Sequence, residues 1–174
     1  KNWITNIAAR FKQAQIKAAT QVNAEMLRFY WELGKDVLQL SEASAYGDKV
    51  LQKISKDLQT ELPDVKSFSP TNLLYMKNFY VLYYQYITNA PQIVEQSQKI
   101  QLEKLFRIPW GHHRYIIDKC KDNPRKAIFY ASKTLENNWS RAVLLNFMDT
   151  DLFERQGRAI SNFKNQLPAP DSDL

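Results

Sequence analysis

The chain has one cysteine, two histidines and four glycines among 174 residues, and each scarcity closes off a class of protein. A lone Cys120 cannot form an internal disulfide, which points to a reducing, cytoplasmic setting. It falls in an apolar helical segment and reads as a core thiol. The histidines are adjacent, His112 and His113, and project about 100° apart on a helix, so they cannot share a metal as residues four apart do. With no second thiol to complete a tetrahedron, no metal site is expected. Scarce Gly and few Val/Thr alternations argue against a sheet. No phosphate-binding loop, Gly-rich dinucleotide turn or Ser/His/Asp set occurs in recognisable context, so neither a cofactor nor catalysis is expected of this chain. Asp149, Asp151 and Glu154 cluster, but they read as a solvated helix end. No continuous apolar span or signal segment occurs, and no membrane partner is expected.

What is present is helical periodicity. Ile4, Ile7, Phe11, Ala14, Ala18, Val22, Met26, Phe29, Leu33, Val37 and Leu40 recur in steps of three and four, one apolar stripe on a single helix or two nearly continuous ones. A helix of roughly 38 residues would be about 57 Å long, more than a small domain spans. It must bend, with Gly34 the candidate, or project, or pack against another chain. Ser44 to Asp48 breaks the pattern, with Asp48 placed to cap the next helix, whose stripe from Val50 to Leu62 ends at Pro63. Ser69-Pro70 is a strong helix start, because the donor that Pro lacks would be unpaired there anyway. The helix it opens, to about Ile87, is Tyr-rich and apolar nearly all round, so it is central to a core or shared with a partner. After Asn89-Ala90-Pro91 a polar stretch follows. Three shorter helices are then predicted, over Pro109–Lys121, Asn123–Asn137 and Ser140–Phe153, with turns at Asp122-Asn123-Pro124 and Asn137-Asn138.

The net charge is +6, compatible with nucleic acid if gathered on one face. Around the Ser69 start stand Lys66, Thr71, Asn72 and Lys77, suited to a DNA groove: helix-start amides favour phosphate, Asn can read adenine, and Lys neutralises backbone charge. Arg114, Lys119, Arg125, Lys126 and Arg141 lie in the later helices. Arg141 sits in a first turn, where a cation is unfavourable. It therefore calls for a partner, either a phosphate or one of Asp149, Asp151 and Glu154. His112 is expected to stack on Trp110 or to cap the helix start. Trp110, Tyr130, Trp139 and Phe163 are expected to be structural.

Several words of the sequence, in this order, resemble the N-terminal domain of the YhcG family of bacterial PD-(D/E)XK nuclease-like proteins. They are Tyr30-Trp31-Glu32-Leu33-Gly34, Tyr46-Gly47-Asp48-Lys49, Phe68-Ser69-Pro70-Thr71-Asn72, Ile108-Pro109-Trp110-Gly111-His112, Asn138-Trp139-Ser140-Arg141 and Glu154-Arg155-Gln156-Gly157. Ser67 and Lys77 depart from the Gly and Arg frequent in that family, and Lys126 to Phe129 is a loose version of its usual pattern. The resemblance implies that a nuclease-like domain follows Ser172-Asp173-Leu174 and that its acidic and Lys residues lie outside this chain.

The expected fold is all-α: a long N-terminal helix plus helix-turn-helix-like lobes, with a winged-helix relative as one form of them. Residues 1–90 hold the long helix and the first lobe, 91–107 a polar link or weak helix, 108–165 a second tri-helical lobe, and 166–174 the start of a linker. The expected role is a non-catalytic domain that binds DNA through Lys66, Ser69, Thr71, Asn72, Lys77, Arg114, Lys119, Arg125, Lys126 and Arg141 and positions a nuclease. The alternative is a protein-interaction module. A homo-oligomer is expected through the long N-terminal helix or the Tyr-rich helix.

Overall fold

Leu27, Tyr30, Trp31, Gly34 and Val37 are the residues that the first helix buries. Most of the apolar stripe picked out by periodicity stays in solvent instead: Phe11, Val22, Met26, Phe29 and Leu40 are all exposed. The helix thus has two apolar faces over its second half, and the fold uses the less conspicuous one. This computed structural model describes residues 2–43, 49–89 and 102–156. Helix α1 is Asn2–Ala43, about 63 Å long at the usual rise. It runs unbroken through Gly34, the candidate for a bend among the three alternatives that its length left open.

Helices α2 (Val50–Glu61) and α3 (Pro70–Asn89) follow, then a helical stretch at 102–105. Helices α4 (Trp110–Cys120), α5 (Pro124–Asn137) and α6 (Arg141–Asp149) complete the set, with a last helical stretch at 152–156. No strand occurs among the described residues, so the fold there is all-α and carries no wing. Asp48 lies outside the described residues; α2 has Lys49 at its N-cap, without a side-chain bond. The other starts follow the sequence. The Ser69 hydroxyl accepts from Asn72 N, the Asn123 side chain from Lys126 N, with Pro124 at the first turn, and the Ser140 hydroxyl from Val143 N. The predicted helix over 140–153 is divided. Helix α6 ends at Asp149 with Thr150 as its C-cap, and Asp151 takes a positive φ of 53° before the chain turns helical again.

Helix α3 is the centre of the molecule. It buries Leu73, Met76, Phe79, Tyr80, Leu82, Tyr83 and Ile87 and touches α1, α2, α4 and α5. The turn between α2 and α3 therefore leads into a core helix, which keeps a narrow open face that includes Thr71, Leu74, Tyr84 and Gln85. Trp31 of α1 meets Phe79 and Tyr80 edge-on, at 5.5 and 4.8 Å between ring centres. Burying such a side chain contributes about 2–3 kcal/mol. One cluster of buried residues joins α1 and α3 to Phe106, Ile108, Ile116 and Tyr130, so the core continues across the segment at which the sequence sets a division between lobes.

Candidate functional site

Three helix starts meet at one corner, and the meeting is built from the motif residues. The Asn72 amide nitrogen donates to Ser67 O at 2.7 Å, and its oxygen accepts from Trp110 Nε1 at 2.9 Å. This locks the start of α3 to the start of α4. Trp110 packs on Tyr30 and Phe79. His112 Nε2 donates to Trp139 O at 2.8 Å, which ties α4 to the residue before the α6 cap. The expected stacking of His112 on Trp110 does not occur; the ring is held at the other side of the corner. Trp139 stacks on Phe147 at 4.5 Å. Arg141 lays its side chain across Gly111, where an added carbon would stand 3.2 Å from Arg141 Cδ.

The predicted DNA contacts fall into separate groups. Thr71, Arg114 and Arg141 are exposed around the corner. The Arg114 guanidinium lies 4.6 Å from the Tyr75 ring centre, a cation–π contact that leaves the charge open to solvent. Tyr75 donates its hydroxyl proton to Asp118 at 2.7 Å, and that bond raises the phenol's pKa. Ser69 and Asn72 are occupied internally, as cap and as brace, so each end of the Asn72 amide already holds one partner within the chain. Lys66 is exposed on the turn before α3, and Lys77 is half-buried two turns into it.

Lys119, Arg125 and Lys126 lie at the far end of α4 and the start of α5, away from the corner. Lys119 pairs with Asp149 at 3.0 Å, and Lys126 with Glu154. The bond to Glu154 raises the Lys126 pKa and keeps the ammonium charged. Asp149 and Glu154 are therefore ion-pair partners rather than a merely solvated helix end. Neither of them reaches Arg141, for which no ion pair occurs among the described residues. Of the ten predicted positions, Lys119 and Lys126 are engaged in ion pairs at the far end of α4 and the start of α5.

Behind the corner, His113 and Tyr83 are completely buried. His113 Nε2 donates to Leu105 O at 2.9 Å, so its Nδ1 accepts from the Tyr83 hydroxyl at 3.1 Å. Burial lowers the His113 pKa from 6.5 to about 4 and pushes Tyr83 well above its usual value. The pair is a neutral brace with both ring nitrogens committed. Sequence reasoning missed it; the second of two adjacent His, on the apolar face with Ile116 and Ile117, was the available signal. Among the described residues, no three His, Cys, Asp or Glu side chains come together to hold a metal. Nor is any helix there long and apolar enough to cross a membrane.

Among the described residues, the distinctive motif residues of this all-α scaffold serve to brace helix starts. Residues 6–155 match the DUF1016 N-terminal domain, and the chain belongs to that family. No curated protein and no solved structure matches it.

Proposed function

We propose that this domain is a non-catalytic assembly module that joins copies of its protein through the exposed arm of α1. One observation carries the reading: the fold leaves the stripe open. Residues 2–22 of α1 are exposed throughout, and Phe11 and Val22 remain 63 % and 64 % accessible. An apolar strip of that length marks an interaction surface, whereas isolated exposed apolar residues would mark nothing. If a nuclease-like domain follows, as the YhcG resemblance implies, pairing here would set how two such domains face a duplex. Light scattering over a concentration series tests the reading. The expected result is a species heavier than the 20.4 kDa chain that Phe11→Asp returns to monomer. A wild-type monomer at every concentration overturns it.

The nucleic-acid reading rests on a different observation: Arg114 and Arg141 stay open beside a corner where three helices begin. Backbone phosphate is the ligand such a corner suits, with Lys66 and Thr71 at its edge. Duplex binding titrated with salt should show a negative slope, reduced by about 1 on Arg141→Ala. Binding without a slope would remove this reading.

A further inference from the structure

Charge is divided along α1. From Asn2 to Ala24 the helix carries Arg10, Lys12 and Lys17 and no carboxylate; from Glu25 to Ala43 it carries Glu25, Glu32, Asp36 and Glu42 against Arg28 and Lys35. Both halves share one open face. At 100° per residue, Ile4, Ile7, Phe11, Ala14, Ala18 and Val22 line up with Glu25, Phe29, Glu32, Asp36 and Leu40, and apart from the small alanines' modest area this is a continuous apolar strip that turns acidic. Every one of these residues is exposed, so nothing among the described residues covers the strip.

We infer that the occupant is α1 of a second copy, lying antiparallel, so that the basic half of each helix meets the acidic half of the other. This deepens the assembly reading and rests on it. A parallel pair would set Arg10, Lys12 and Lys17 beside their own duplicates, and like charges held together disfavour association. An antiparallel pair crossing near Gln21 does the opposite. Arg10 and Glu32 are equidistant from Gln21 in sequence, as are Lys17 and Glu25. Arg10 and Lys17 flank the strip on the side toward which Glu25 and Glu32 lie within it, the side that a two-fold axis brings against itself. Glu25 and Arg28 already form an exposed pair at 2.7 Å, which costs little to exchange.

The test uses the full 174-residue chain. Arg10→Glu with Lys17→Glu should weaken self-association roughly tenfold or more, and adding Glu25→Lys and Glu32→Lys should restore most of it. Circular dichroism confirms that each variant is folded. Under oxidation, a chain with Ile7→Cys mixed with one carrying Lys35→Cys should form a mixed disulfide, while Ile7→Cys alone should form no disulfide-linked dimer; the native thiol, Cys120, is buried and does not compete. Self-association without charge rescue, or with Ile7→Cys linking to itself, overturns the antiparallel pairing and leaves assembly standing. A monomer in every arm, wild type included, removes the assembly reading with it.

Discussion

The carbonyl oxygen of Met76 occupies the place of a side chain on Gly34: a carbon added there would lie 2.1 Å from that oxygen and 2.7 Å from the carbonyl carbon. Gly34 thus lets α1 lie directly on the backbone of α3. Elsewhere in a helix, Gly→Ala gains about 1 kcal/mol. At Gly34 the two helices must separate, and the net loss should be about 2 kcal/mol or more. Gly111 is the control. An added carbon there meets the flexible Arg141 side chain at 3.2 Å, which can shift. Gly111→Ala should lie between no change and about 1 kcal/mol of gain, both measured by urea unfolding.

Acid should weaken the fold through His113. Its pKa is about 4 in the folded chain against 6.5 for the free group, so between those values the unfolded chain binds a proton that the folded one refuses. Stability is therefore highest above about pH 6.5 and falls as pH drops toward 4, by about 3 kcal/mol from this group. Unfolding free energies across that window should show the slope, and His113→Gln should flatten it. Tyr83→Phe should cost about 1–3 kcal/mol at neutral pH by leaving Nδ1 of His113 without its donor.

The sequence makes the helix starts legible because capping is local. Ser69-Pro70, Asn123-Pro124 and Ser140 each satisfy amides within three residues, and all three stand where expected. Which face of α1 is buried is not local. Phe11, Val22 and Phe29 have the stronger periodic signal, yet Leu27, Trp31 and Gly34 are buried because α3 offers them an aromatic surface and a close backbone. The site was readable in its words and not in its use. Asn72 looks like a ligand contact when read alone, and only the approach of Trp110 shows that its amide braces the corner. Opposite partners such as Glu154 for Lys126 are invisible to spacing, since they are far apart in the chain.

Cys120 should be inert in the native protein. Burial pushes its thiol up to about 11, and the residue is almost wholly enclosed, so both access and thiolate are lacking. Iodoacetamide at pH 8 should leave the folded chain unlabelled over hours and modify it fully in denaturant. Rapid native labelling would place the α4 end in solvent.

Asn72→Ala separates a brace from a base-reader. If the amide serves the corner, its loss leaves Trp110 Nε1 and Ser67 O without partners, and the chain should lose about 1–3 kcal/mol of stability with no nucleic acid present. Asn72→Asp should fall between the two, because a carboxylate still accepts from Trp110 but has nothing to donate to Ser67. Thr71→Ala, one residue away and exposed, should change stability by less than about 0.5 kcal/mol. The same three chains titrated with duplex DNA complete the comparison. An Asn72→Ala chain as stable as wild type but unable to bind would make Asn72 a reader, despite both ends of its amide being engaged. Loss of stability, with duplex affinity unchanged under conditions where the variant stays folded, is the expected result.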